Sequence, residues 1–243
     1  MRRRSKIEVE IRNILSEVLL VSLKDRELSA TLYIIFQFCQ FVKEKGRNRI
    51  RLTELLNYEK DILWLKHNRE RVPKGLSFDN IFEIDSENYV KLKSRFERHL
   101  SGICIKSRLY WNLVSSLYSN EGGFKSGIEG EIKKGVLLFN EGFYFECHEF
   151  LEEMWRKEKG REKEFLKGLI HAAVAFYHLE YENYKGTINY LRRSYKRLKE
   201  FEPVFLGVDI RAFLLDIDNF LKSFEKSGSG NLKEAIPKIR MVK

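Results

Sequence analysis

The chain has 243 residues, of which 43% are hydrophobic and 33% charged, and its net charge is +10. That length accommodates one large or two small domains, and the apolar share excludes disorder on a large scale. Both charge signs are abundant while only two glutamines, Gln37 and Gln40, occur, a balance that suits a thermophile's protein.

The start, Met1-Arg-Arg-Arg4, is basic, but no apolar signal-peptide core follows it. Helices are predicted near 7–23, 27–45, 52–57, 59–71, 86–100 and 105–118. Ile7, Ile11, Ile14, Leu15 and Val18 repeat at the helical period. The apolar run Ala30 to Val42 is interrupted by both glutamines and is too short to span a bilayer. The expectation is a cytoplasmic protein with no membrane contact. Ile81 to Leu92 alternates enough to form a short hairpin in place of the helix near 86–100. Residues 1–120 hold 23 Lys and Arg against 15 Asp and Glu, so most of the positive excess is N-terminal. An acidic partner or nucleic acid would be drawn to it, whereas a solvated Lys/Arg-rich surface is the plainer reading. Basic helices and a hairpin suit a winged-helix DNA binder, although no recognition helix stands out. Cys39, Cys104 and Cys147 are far apart and form no CxxC pair. Each reads as a buried free thiol in a reducing compartment.

The stretch Ser119 to Gly127 has the Asn, Gly and Ser chemistry of a linker. It divides a mostly helical N-terminal domain, 1–120, from a helical domain, 121–226. A flexible tail is expected over 227–243. C-terminal helices are predicted near 128–140, 143–158, 162–181, 185–201 and 208–225, with a short one at 231–235. Short loops predict an antiparallel bundle. At an offset of 40, the stretch from Phe139 to Tyr144 falls over that from Leu179 to Tyr184, Leu151 over Leu191 and Trp155 over Tyr195. This predicts two tetratricopeptide-like helical hairpins. The fold class is therefore all-α: a helical bundle with these hairpins in the C-terminal domain, preceded by a mostly helical N-terminal domain.

The helix over 143–156 carries the candidate chemistry. Tyr144, Cys147, Leu151, Met154 and Trp155 share its core stripe, and His148 with Glu152 forms an i, i+4 pair at the stripe's edge. Glu149 and Glu153 form a more exposed row. His148 has no polar counterpart at the offset of 40, where Ile188 stands, so packing alone does not require it. A partly desolvated His beside a carboxylate makes a general base or a fixed metal ligand. The motif is H-E-x-x-E and not the H-E-x-x-H of zinc proteases, so further ligands must come from elsewhere. The next helix is apolar nearly all round and offers His171 and His178, two turns apart, with Lys167 one turn before His171. The plainer reading is that these histidines are hydrogen-bonded across helix interfaces. Phe143, Tyr144, Phe145, Phe176 and Tyr177 read as core. The basic run from Arg192 to Lys199 reads as a solvated helix face, with phosphate binding as the alternative. No phosphate-binding loop, dinucleotide fingerprint, nucleophile elbow or EF-hand pattern occurs.

The string Leu138-Phe-Asn-Glu-Gly-Phe-Tyr-Phe-Glu-Cys-His-Glu-Phe-Leu-Glu-Glu-Met-Trp-Arg156 resembles the signature of domain-of-unknown-function family 309. Phe165 to Leu179, then Asn183 and Gly186, fit the same family. The resemblance covers about residues 128–205. It implies a compact all-helical domain, sometimes described as a metal-dependent hydrolase. Carried over, it implies a divalent metal (zinc, manganese or iron) on His148, Glu152 and His178. Glu149 and Glu152 would serve catalysis by activating water, and Trp155 and His171 would stand beside the donors. The family has Gln in many relatives where His171 stands. The alternatives are a non-enzymatic helical interaction scaffold and a nucleic-acid binder acting through residues 1–120.

Overall fold

A computed structural model describes residues 5–25, 27–55, 78–119, 127–227 and 236–242. The chain is all-α in class and divides into two compact units that meet in sequence between Gly123 and Phe124.

In the first unit, α1 (Lys6–Lys24) starts on a capping box. Ser5 Oγ accepts from the Glu8 backbone N–H, and the Glu8 carboxylate accepts from that of Ser5. Leu15, Val18, Leu19 and Leu23 form its buried stripe. The second helix, α2 (Ala30–Lys45), buries Leu32, Ile34, Ile35 and Phe38 and ends at Gly46, whose φ of 64° closes the last turn onto Val42 O. A three-stranded antiparallel sheet follows, made of β1 (Arg49–Arg51), β2 (Phe82–Ile84) and β3 (Tyr89–Leu92), in the order β1-β3-β2. The short helix α3 (Leu52–Leu55) begins directly on the end of β1. A 3-10 segment, Ser94–His99, leads into α4 (Leu100–Ser119), which packs on α1 and α2.

Two expectations are corrected here. Residues 86–92 are not helical: the alternating Tyr89-Val-Lys-Leu92 makes the far strand of the hairpin, because both of its edges find partners. Cys39 and Cys104 are not free thiols but a disulfide joining α2 to α4, with Cα atoms 5.2 Å apart. Cys147 is free and buried, and burial raises its pKa far above the ordinary thiol value, assisted by Glu146. The helix expected near 59–71, and that at 231–235, lie outside the described residues.

The second unit contains α5 (Ile128–Asn140), α6 (Tyr144–Lys157), α7 (Gly160–Glu180), α8 (Tyr184–Leu198) and α9 (Ile210–Ser227), with a two-stranded ribbon of β4 (Val204–Phe205) and β5 (Val208–Asp209) before α9. Helix α7 is central, packing on both α6 and α8. It buries Phe165, Leu166, Leu169, Ile170, Ala172, Ala173, Ala175 and Phe176. The helices approach closely where side chains are missing. A Cβ on Gly135 would lie 2.7 Å from Leu151 Cδ2, and one on Gly168 would lie 2.5 Å from Leu198 Cδ2.

The echo at an offset of 40 is structural. Gly142 and Glu182 both take positive φ, 81° and 56°. Phe143 N–H bonds to Leu138 O, as Asn183 N–H bonds to His178 O. Leu151 and Leu191 are both buried. Two such hairpins fall short of the three or more repeats of a solenoid, so they are helical hairpins without a tetratricopeptide assignment. The C-terminal end is tied down as well. Asn140 Oδ1 accepts from Ile239 N–H and its Nδ2 donates to Ile239 O, while Ile239 is buried and Met241 bridges to Val208. Residues 236–242 are therefore packed, unlike the flexible tail expected from the Ser/Gly run before them. No described helix is long and apolar enough to cross a membrane.

Candidate functional site

Helix α6 presents His148 between two carboxylates. Its Nδ1 lies 3.3 Å from Glu149 Oε1 and its Nε2 3.3 Å from Glu152 Oε1, and the side chain is 23% exposed. Burial by itself disfavours the imidazolium, but the hydrogen bonds and charges of Glu149 and Glu152 outweigh it and raise the pKa above 6.5. Glu152 is shared with Arg156 at 3.0 Å. The Phe145 ring flanks the imidazole, with centroids 6.4 Å apart. Of the residues read as core, Tyr144 and Phe176 are buried, whereas Phe143, Phe145 and Tyr177 are half-exposed. Burial, followed by the charges of Glu180 and Cys147, pushes the Tyr144 phenol up to about 12.

His178, on the last turn of α7, has different company. Asn183 caps α8 by accepting the Gly186 N–H on Oδ1, which turns its amide nitrogen toward His178 Nδ1 at 2.9 Å. That amide donates, so Nδ1 accepts and the neutral ring carries its proton on Nε2. The imidazole also stacks on Tyr190 of α8, with centroids 5.3 Å apart and planes at 21°. Burial lowers its pKa. His171 meets the other side of this interface, edge-on to Tyr190 at 5.7 Å. Gly186 permits the arrangement, because a Cβ there would lie 2.8 Å from Asn183 Nδ2 and 2.9 Å from His178 Cγ.

The two turns between His171 and His178 do bring them together, but on Tyr190. His148 stays with the acids of its own helix. Among the described residues, no group of three or more His, Cys, Asp or Glu side chains is placed to hold a metal ion. The donor chemistry agrees. A metal ligand needs a free imidazole lone pair with the other nitrogen donating. In His178 the lone pair receives the Asn183 amide, and in His148 both nitrogens face carboxylates, which raises its pKa. As placed, His148, Glu152 and His178 are not gathered into one such group. Sequence reasoning passed over Tyr190 and Lys163. The four-residue ladder Lys163, Lys167, His171 on one line of α7 was the available signal for the latter.

A second candidate surface lies on the first unit. The register sets Arg49 opposite Lys91 and Arg51 opposite Tyr89. These four side chains share the outer face, while Ile50, Val90 and Leu92 are buried on the inner one. The Arg49 and Arg51 guanidinium carbons lie 4.5 and 5.5 Å from the Tyr89 ring centre, and Arg51 Nε donates to the Tyr89 hydroxyl at 3.1 Å. Four acids share the neighbourhood: Glu83 pairs with Lys91 at 3.0 Å, Asp85 reaches Arg49 at 3.9 Å, and Glu54 and Glu87 lie close enough to act on the charge of Arg51.

The second unit is thus a helical-hairpin domain carrying a His–carboxylate row and a basic aromatic interface. Its residues 132–190 match the family model described as Domain of unknown function (DUF309), the family the sequence string resembles. The chain is 28% identical over 160 residues to an "Uncharacterized protein" of Aquifex aeolicus (strain VF5), covering 61% of this chain and 46% of that protein. It is 39% identical over 57 residues to "Uncharacterized protein YpuF" of Bacillus subtilis (strain 168), covering 23% of this chain and 33% of the relative. The matches span less than half the length of either relative.

Proposed function

We propose that the protein binds duplex DNA through the outer face of the β1-β3-β2 sheet in its first unit. The strand order carries this reading. A winged helix has the same arrangement, in which a short first strand follows a helix, leads into another, and pairs with the far strand of a later hairpin. On that frame Arg49, Arg51 and Lys91 line one face around Tyr89, among Glu83, Asp85, Glu54 and Glu87. Stacking on Tyr89 holds Arg49 and Arg51 extended before any ligand arrives, which reduces the ordering cost of a phosphate contact. An open groove of about 580 Å³, lined by Val42, Gly46, Arg47, Asn48, Arg49 and Leu100, adjoins the row.

The test is fluorescence anisotropy of a labelled duplex across a salt series. Affinity should fall steeply with salt. In Arg49→Gln/Arg51→Gln the log–log slope should shrink by about 2, since each lost phosphate contact removes roughly 0.9. Absence of binding, or an unchanged slope in the double variant, would overturn the proposal. The metal-dependent hydrolase implied by the family resemblance is the weaker reading, because His148 pairs with Glu149 and Glu152 of its own helix while His178 pairs with Asn183. Near-stoichiometric zinc, manganese or iron, lost in His148→Ala, would reinstate it.

A further inference from the structure

The second unit concentrates positive charge on an interface that the nucleic-acid reading does not use. On α7, Lys163, Lys167 and His171 follow one another at four-residue spacing. Lys163 Nζ lies 4.3 Å and Lys167 Nζ 5.8 Å from the centre of the Trp155 ring on α6. On α8, Arg193 lies over Tyr190 at 5.4 Å, and Tyr190 also contacts His171 and His178. Among the described residues no carboxylate pairs with Lys163, Lys167 or Arg193. The nearby acids are engaged elsewhere: Glu152 with His148 and Arg156, Glu164 with Arg197, and Glu225 with Arg192. Two polar atoms of the cluster, Trp155 Nε1 and His171 Nδ1, are buried with no hydrogen-bond partner among the described residues. Orphaned buried polar atoms in a native fold call for an explanation, and a bound ion is one of the standard ones.

We infer that Lys163, Lys167, His171 and Arg193, with the Trp155 indole N–H, form a binding site for a small oxyanion bearing phosphoryl or carboxyl groups. The cations supply charge without competing acids. The indole N–H supplies the directional donor that a diffuse lysine patch lacks, and the imidazole supplies a second once an anion has drawn a proton onto it. The flat ring faces are already covered, Trp155 by the lysines and Tyr190 by His178, so recognition is of the anionic group and not of an aromatic base. His171 also reports occupancy. Burial, then Lys167 and then Arg193 lower its pKa, against one opposing contact with the Arg193 backbone. An anion among these groups, with Lys167 facing His171 from α7 and Arg193 from α8, offsets their charge and draws a proton onto the ring.

The experiment is isothermal titration of the full chain with sodium pyrophosphate and, separately, with citrate, each in two buffers of different ionisation enthalpy near pH 6.5. Binding of either anion with proton uptake is expected, and the tighter of the two identifies phosphoryl or carboxyl chemistry. Lys167→Gln or Arg193→Gln should weaken binding about tenfold or more, the scale of a charge-assisted hydrogen bond. Arg192→Gln, one residue away but paired with Glu225, should leave it unchanged, as should Arg49→Gln/Arg51→Gln, which separates this site from the nucleic-acid face. Each of these side chains is exposed or half-exposed, and circular dichroism checks that each variant folds. No heat at millimolar anion, or equal weakening by Arg192→Gln, would overturn the site.

Discussion

Removing the Cys39–Cys104 bridge should cost the first unit a large part of its stability. The two residues are 65 apart in sequence. Cross-linking a loop of that length restricts the unfolded chain by about 4 kcal/mol on the chain-entropy relation. Domains of this size are stable by only about 5–15 kcal/mol, so the loss is severe. With a urea dependence of about 2 kcal/mol/M, the unfolding midpoint should fall by about 2 M. Trp111 provides the probe, since its ring contacts Tyr33 and Phe36 at 4.9 and 5.9 Å across the α2–α4 interface. Urea titrations would compare oxidised protein, reduced protein and Cys39→Ser/Cys104→Ser. Thiol alkylation of denatured, unreduced protein should find one free cysteine, Cys147. Three free thiols would refute the bridge, and a midpoint insensitive to reduction would refute the entropic argument.

Gly168→Ala should destabilise the second unit by about 1–2 kcal/mol: the new methyl meets Leu198 Cδ2 and Cγ at 2.5 and 2.7 Å, and overpacking of about 1–3 kcal/mol outweighs a helix-propensity gain of about 1. A thermal melt no lower than wild type would contradict it. Ile239→Ala should cost about 2–5 kcal/mol by emptying a buried position in the docked C-terminal segment, read by urea unfolding, whereas a frayed tail would show no change. His148 has a raised folded-state pKa, so its stabilising contribution is full below 6.5 and is lost as pH rises through the folded value. The stability gap between wild type and His148→Gln should therefore close from pH 5.5 to pH 8. Glu152→Gln should lower the His148 pKa in an NMR titration, and a gap independent of pH would refute the pairing.

What was legible in the sequence followed local rules. The five helices of the second unit, their tight turns and the offset of 40 came from periodicity and turn residues that act within a few positions. Nonlocal pairings were not legible. Helix period and strand alternation compete over 86–92, and the edge that decides for a strand is β1, about 40 residues earlier. Cys39 and Cys104 carry no spacing signal, so the disulfide was read as two thiols. His148 and His178 were correctly set on neighbouring helices, yet helix spacing does not specify partners. Asn183, needed for the turn, also claims the His178 lone pair. The row Arg49, Arg51, Tyr89 and Lys91 was visible only as net charge until the strand register placed it on one face.

Hydrogen exchange of the full chain with and without a duplex tests the central claim most directly. DNA binding through the sheet predicts slowed exchange in residues 49–51 and 89–92, abolished in Arg49→Gln/Arg51→Gln. Protection confined to the second unit, or none at saturating duplex, would contradict it.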